Sequence, residues 1–427
     1  MAKQKYGHGN TDWFVHDRFG MFIHWGLYSM PARHEWVRNL ESISTADYQK
    51  YFDRFDPDLF DPKVWAAAAK NAGMKYFVIT TKHHEGFCLW DSKYTDYKAT
   101  NTPCRRNLLK DVVAAFRAEG IRVGFYYSLI DWHHPEFPID KLHPERNLPG
   151  IRDRKRDMRK YAKYMRDQVT ELLTQFGKID VMWFDFSYPG EDGKGCDDWE
   201  SEKLVKLIRK LQPEVVIDNR LDLPGSGDIV TPEQYVPARG MRDEDGNLQV
   251  WEGCQTFSGS WGYHRDEASW KSVEMLVQML INHVSRGGNL LLNVGPTSRG
   301  EFDGRAQDAL AGIGEWMKRH SRSIYGCTIA PDGLTEAENC RYTYNPKTHR
   351  LYVHIMSWPF KELHLPGLDG KVAYAQLLND GSEVRMRNAQ TEVHPGLNSK
   401  TEAGALTLEL PTLRPNVAVP VIELFLK

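Results

Sequence analysis

The sequence predicts an α/β fold: a (β/α)8-like barrel followed by a small antiparallel β-sandwich. Three observations carry that expectation. Short apolar, strand-like runs alternate with helical patterns through most of the chain. Polar, reactive side chains stand at the end of nearly every run, namely His24, His83 and His84, Tyr126 and Tyr127, Asp185, and Asn219 with Arg220. Beyond residue 322 the texture changes to short alternating runs separated by Pro, Gly and Asn. Repeated βα units imply a parallel sheet, either doubly wound or closed into a barrel. A doubly wound sheet gathers its site at one switch point, whereas a barrel draws on the carboxyl ends of many strands. No G-x-G-x-x-G turn follows any strand, which weakens a dinucleotide-binding fold. The expected division is 1–322 for the barrel and 323–427 for the sandwich.

Strands are expected at 20–24, 76–80, 123–127, 181–184, 215–217 and 289–294, with one or two more in the irregular stretches between them. Each is apolar and β-prone, as strands covered on both faces are. Helical patterns fill 62–71, 108–118, 154–176, 197–211, 269–284 and 305–319. Several stop at a glycine, at Gly73, Gly120 and Gly177, where a left-handed residue closes a helix before the next strand. In the tail, 351–356, 362–365, 372–378, 405–410 and 421–426 alternate with period two and read as antiparallel strands.

Composition excludes several classes. Lys+Arg 55 against Asp+Glu 57 leaves a formal charge of −2, so neither a nucleic-acid nor a membrane partner is indicated. The basic residues between Arg152 and Arg166 are spaced as the solvated face of a helix. Six scattered cysteines form no C-x-x-C pair, which points to reduced thiols rather than a zinc site or disulfide framework. The first residues show no apolar leader, so the chain as given reads as soluble and cytoplasmic, or as secreted or periplasmic if a leader has been removed. Thirteen tryptophans suit either a sugar-lined cleft or a large core. Oligomeric state is left open.

Asp185 closes the run Ile179-Asp-Val-Met-Trp-Phe-Asp185. A carboxylate at the end of a buried strand is expensive unless something uses its charge. Around it, Phe22-Ile-His-Trp-Gly26 and Glu35-Trp36 offer a donor, an acceptor and ring faces suited to a hydroxylated ring. The pair His83-His84 serves one site only if its strand has already ended, because neighbours on a strand face opposite ways. Of Tyr126 and Tyr127, one must point outward for the same reason. Arg220, in Val216-Ile-Asp-Asn-Arg220, stands equally well as a salt-bridge partner or a site residue. No His-x-His occurs, and His83-His84 and His133-His134 are adjacent pairs, which argues against a metal centre.

These segments together resemble the α-L-fucosidases of glycoside hydrolase family 29. The resemblance runs in order through Gly20-Met-Phe-Ile-His-Trp-Gly26, Glu35-Trp36, Lys82-His-His-Glu-Gly-Phe-Cys-Leu-Trp90, Tyr126-Tyr-Ser128, Trp183-Phe-Asp185 and Asp218-Asn-Arg220. It continues through Thr231-Pro-Glu233, Trp251-Glu252, Ser260-Trp-Gly-Tyr263 and Asn289-Leu-Leu-Leu-Asn-Val-Gly-Pro296. It implies an exo-acting, retaining hydrolase of terminal α-linked L-fucose on fucosylated oligosaccharides, with no metal or organic cofactor and a covalent intermediate on Asp185. A retaining enzyme needs a second carboxyl about 5–5.5 Å from the first. Glu233 and Glu252 are the candidates, with Glu233 preferred because Thr-Pro-Glu resembles the element that carries the acid/base. The resemblance also places His24, Glu35, Trp36, His83, His84, Tyr126, Trp183 and Arg220 around the sugar, with Phe257 and Trp261 as an apolar wall for its methyl group. Where relatives often carry Asp after the histidine pair, this chain has Glu85, a change expected to alter loop packing. Two other readings stand beside this one: a fucose-binding protein without catalysis, and a metal-dependent hydrolase on the same barrel.

Overall fold

The computed structural model describes residues 6–387 and 404–427. The first five residues, on which the reading of the amino terminus partly rests, lie outside the described residues. Eight strands form one parallel sheet: β1 (Phe19–Ile23), β2 (Tyr76–Lys82), β3 (Arg122–Ser128), β4 (Val181–Asp185), β5 (Val216–Ile217), β6 (Val230–Glu233), β7 (Trp251–Thr256) and β8 (Asn289–Val294). Their spatial order is β5-β4-β3-β2-β1-β8-β7-β6, and every pairing is parallel. A single parallel bridge between Asp218 and Ile229 joins the two edges, so the sheet curls into a ring.

Six helices clothe the ring: Pro62–Asn71, Leu108–Ala118, Met158–Gln175, Ser201–Leu211, Val273–Val284 and Gly304–His320. The connections from β5 to β6 and from β6 to β7 carry none, so the wall is bare of helix there. Side chains that alternate along the strands build two cores. Phe22, Tyr76, Val78, Tyr126, Val181, Trp183 and Leu291 fill the ring's interior. Met21, Ile23, Phe77, Ile79, Met182 and Phe184 face the helices. Asp185 is in phase with Val181 and Trp183 and so turns inward at the ring's mouth.

β6 and β7 are the two strands that the apolar-run criterion leaves unplaced. Val-Thr-Pro-Glu is four residues long, and Trp-Glu-Gly-Cys-Gln-Thr carries polar groups into the interior, so neither reads as an apolar run. The helix expected over 197–211 is broken at Glu200, which takes φ 50° between Cys196–Trp199 and Ser201–Leu211. Asp157 and Ser272 accept backbone N–H groups as N-caps, which starts two helices later than their periodicity suggests. Gly73, Gly120 and Gly177 take φ 86°, 73° and 71°, the left-handed conformation that a helix end requires of them.

The tail forms two antiparallel sheets. Strands β9 (Cys340–Asn345), β10 (Arg350–Ile355), β12 (Val372–Leu377) and β15 (Val421–Leu426) make one, in the order β12-β15-β10-β9. Strands β11 (Glu362–Leu365), β13 (Arg385–Arg387) and β14 (Leu406–Glu409) make the other, in the order β11-β14-β13. Leu351, Val353, Ile422 and Leu424 from the first meet Leu363, Leu365, Leu406 and Leu408 from the second in a shared core. Val421 and Tyr352 turn the other way and join the barrel's outer core, and Trp316 Nε1 donates to Val419 O at 2.8 Å.

Candidate active site

A cavity of about 50 Å³ opens at the carboxyl ends of the parallel strands. Its wall contains His24, Glu35, Trp36, His83, His84, Tyr126, Trp183, Asp185, Arg220, Glu233 and Trp261, all expected from the sequence, together with Phe22, Phe186 and Cys254. β2 ends at Lys82, which frees the two following histidines to enter one site. Tyr126 faces the interior, and Tyr127 points out to donate to Gln168 Oε1 at 2.7 Å. A larger concavity near Arg18, Arg286 and Lys347 assembles no comparable chemistry. There Arg18 is committed to the carbonyls of Cys327 and Gly287, and Arg286 to Glu336.

Asp185 is 9% exposed and held on both oxygens. Arg220 Nη1 donates to Oδ1 at 2.8 Å and the Tyr126 hydroxyl donates to Oδ2 at 2.7 Å. Burial pushes this carboxyl above the usual range, and the Arg220 charge and the Tyr126 hydrogen bond pull it back. The other terminal nitrogen of Arg220 donates to Glu233 Oε2 at 3.0 Å, so one guanidinium spans two carboxylates. Its guanidinium carbon lies over the Trp183 ring, 4.5 Å from the ring centroid. Burial alone would loosen the Arg220 proton, but Asp185 and Glu233 outweigh that and keep the cation charged.

The two glutamates part company. Glu233 sits at the rim with its side chain 48% exposed and its backbone at φ 58°, a strained value for a non-glycine residue. Glu252 is fully buried, second in β7 and level with Asn289 at the start of β8, well below the mouth. It accepts hydrogen bonds from the Tyr76 hydroxyl and from Trp183 Nε1 (3.2 Å), and burial raises it to about 7. It is outside the cavity wall, where Glu233 stands. Phe257 also lies off this wall. It is one residue out of phase with the inward Cys254, so it packs in the outer core and lines a neighbouring cleft with Ser260, Tyr263 and Trp270.

Hydrogen bonds fix the histidine tautomers. Asn293 Nδ2 donates to Trp261 O at 2.6 Å, so its Oδ1 accepts from His24 Nδ1 at 2.6 Å. Ser128 donates to Ile130 O at 2.8 Å and therefore accepts from His84 Nδ1 at 2.6 Å. Burial lowers His24 to about 3 and takes His83 and His84 well below the usual range, so all three are neutral. His24 and His84 thus present bare Nε2 acceptors, that of His84 3.9 Å from Asp185 Oδ2. Glu35 Oε2 accepts the backbone N–H groups of Trp261 (3.1 Å) and Gly262 (2.9 Å), while Oε1 is buried without a hydrogen-bond donor. The array offers acceptors to the hydroxyls of a small polyol inside an aromatic wall.

Phe22, Phe186 and Cys254 line the wall without being expected there from the sequence. Phe22 was legible, being two positions before His24 on the same strand and so on the same face. Phe186 depends on a turn at φ 76° that no side-chain pattern announces. Among the described residues, no group of three or more His, Cys, Asp or Glu side chains is placed to hold a metal ion, and no helix is long and apolar enough to cross a membrane.

A family model described as alpha-L-fucosidase matches residues 2–322. The chain is 48% identical to alpha-L-fucosidase isoenzyme 1 from Paenibacillus thiaminolyticus, whose solved structure superposes with a TM-score of 0.91 over 98% of each chain. It is 28% identical to an alpha-L-fucosidase of glycoside hydrolase family 29 from Bacteroides thetaiotaomicron, with a TM-score of 0.82 over 100% of each chain. That structure holds a covalent intermediate trapped with 2-fluoro-fucosyl fluoride in a glutamate-to-glutamine variant. Human plasma alpha-L-fucosidase is 30% identical over 386 residues, 81% of this chain and 76% of that one. The chain belongs to the α-L-fucosidases of glycoside hydrolase family 29, which are retaining glycoside hydrolases.

Proposed function

We propose that Asp185 is the nucleophile and Glu233 the acid/base with which this retaining α-L-fucosidase removes terminal α-linked L-fucose from glycans. The observation that carries this reading is the Arg220 guanidinium, which holds both carboxylates at one end of the cavity. In the first step Asp185 Oδ attacks the anomeric carbon as Glu233 gives its proton to the departing glycosidic oxygen. In the second, Glu233 takes a proton from water, which attacks the same carbon and frees Asp185, so configuration is retained. The exposure of Glu233 suits a group that meets both leaving group and solvent. The glutamate-to-glutamine variant that trapped the Bacteroides intermediate supports a glutamate in this role.

His24, His84 and Glu35 accept sugar hydroxyls in this scheme. Phe22 and Trp261, whose rings lie 6.1 Å apart, take the methyl group in place of Phe257. Catalysis belongs to 1–322, with 323–427 as an accessory domain. All six cysteines are unpaired, which supports a reducing compartment.

Azide rescue on an activated aryl α-L-fucoside tests the roles. Asp185→Ala with azide should yield the inverted β-fucosyl azide, and Glu233→Ala the retained α-fucosyl azide. Full activity in Glu233→Ala, or rescue of Glu252→Ala in its place, would overturn the acid/base assignment.

A further inference from the structure

We infer that Glu252 is a positioning residue, which acts through the Trp183 indole to hold Arg220 against the two reacting carboxylates. This goes beyond the roles of Asp185 and Glu233 and rests on that reading of them. The interior of a barrel is ordinarily filled with branched apolar side chains. Here a polar thread climbs through it. Arg18 Nη1 donates to Asn289 Oδ1 at 3.4 Å, and Asn289 Nδ2 donates to the Tyr76 hydroxyl at 3.3 Å. Tyr76 donates in turn to Glu252 Oε2.

Glu252 Oε1 then accepts from Trp183 Nε1 at 3.2 Å. An indole has only this one donor, so the bond fixes the ring's rotation within its plane. The Arg220 guanidinium carbon lies over the ring, 4.5 Å from its centroid, and Tyr126 and Phe22 brace the ring with centroids 5.7 and 5.3 Å away. Every link from the floor of the barrel to Asp185 is therefore a directed contact. A buried carboxyl is costly to keep, and a leucine of similar volume would fill the space. What leucine cannot do is orient the indole. Trp183 then sets where the guanidinium lies, and Arg220 sets the spacing and charge of Asp185 and Glu233.

The consequence is readable in acid. Asp185 is faced by Arg220 and Asp218 beyond β5, Tyr126 from β3, His84 beyond β2 and Glu233 from β6. Of these, Arg220 is the cation, and loosening it raises the pH at which Asp185 loses its charge.

The test compares Glu252→Ala, Glu252→Gln, Trp183→Phe and the double variant Glu252→Ala/Trp183→Phe. The readouts are kcat, KM and the pH profile of kcat/KM on an aryl α-L-fucoside. Glu252→Ala should lower kcat about tenfold and move the acid limb to higher pH. Glu252→Gln keeps an acceptor for the indole and should stay close to wild type. Trp183→Phe should move the limb the same way, and the double variant should be no worse than the poorer single. If Glu252→Ala fails to fold, Trp183→Phe alone and with Glu252→Gln carries the comparison. Folded Glu252 variants with a lower Tm but an unmoved acid limb and unchanged kcat would reduce Glu252 to a brace and overturn the inference. Azide rescue of Glu252→Ala would overturn the acid/base assignment instead.

Discussion

The Tyr126 hydroxyl donates to Asp185 on Oδ2, the oxygen that Arg220 leaves free. The two donors divide the carboxylate between them, one oxygen each. Both stabilise the charged form, against a burial that favours the neutral one. Tyr126→Phe removes one donor without changing the ring's stacking on Trp183. A hydrogen bond to a charged group is worth roughly ten- to a hundredfold, so kcat/KM should fall by that order. The carboxyl should also titrate higher, shifting the acid limb of the pH–rate profile upward. An unshifted limb would mean that the phenol does not govern Asp185.

Glu35 makes a different kind of prediction, about binding. Its Oε2 is committed to two backbone donors of the Trp261 loop, and its Oε1 makes no hydrogen bond and lies 3.3 Å from His34 Nδ1, which itself accepts from Trp36 N. A substrate hydroxyl is the natural donor for that oxygen. Glu35→Gln keeps an oxygen for the loop but turns the other position into a donor. KM for an aryl fucoside should rise about tenfold or more, with the fold and the pH profile unchanged. A variant with wild-type KM would show that Oε1 faces no hydroxyl.

Much of this site could be read from the chain because strand ends are local features. His24, His83, His84, Tyr126, Asp185 and Arg220 each follow an apolar run, and parallel topology brings such ends together whatever the loops do. Residues whose position depends on parity or strain were harder. Phe257 is expected as part of an apolar wall for the sugar's methyl group, but an odd step of phase from the inward Cys254 places it in the outer core. Glu252 seemed a second acid because its neighbours resemble the family's, yet its depth is set by the register of β7 on β8, which no single strand encodes. β6 and β7 are expected only as unplaced strands, because β6 is four residues long and β7 interleaves Glu252, Gln255 and Thr256 with its apolar residues.

Glu85, the residue that departs from the common pattern, yields a prediction about stability. It is buried, accepts from Leu27 N at 2.8 Å and from the Tyr48 hydroxyl, and burial raises it to about 7 from 4.5. Between those values the folded protein keeps a proton that the unfolded chain has released. Stability from this group is therefore full below about pH 4.5 and is lost as pH rises to about 7. At about 1.4 kcal/mol per unit, the loss is roughly 3 kcal/mol. Glu85→Gln removes the titration, so its Tm relative to wild type should be higher at pH 8 than at pH 5. Equal differences at the two pH values would show that Glu85 ionises normally.

Lys82 and Asp131 form an ion pair at 3.1 Å with both side chains at most 1% exposed, directly beneath the histidine pair. The ammonium also donates to the Tyr161 hydroxyl at 3.2 Å and lies 4.4 Å from the Tyr127 ring centroid. Asp131 Oδ1 accepts the backbone N–H groups of His133 and His134, tying down the loop after β3. Burial alone would raise this carboxyl, but Lys82 and the two histidines hold it below the usual range. Lys82→Met leaves a buried carboxylate without its cation and should cost about 3–5 kcal/mol in urea unfolding. Asp131→Asn in that background removes the stranded charge and keeps an oxygen for the loop, so it should restore most of the loss. The same loop supplies Trp132 N, which donates to His84 O at 2.8 Å, so the pair also fixes one of the sugar-facing histidines. Activity should therefore follow stability across the series, falling in Lys82→Met and recovering in the double variant. If the second substitution deepens the loss instead, the pair is held by packing around Tyr127 and Tyr161 rather than by its charges.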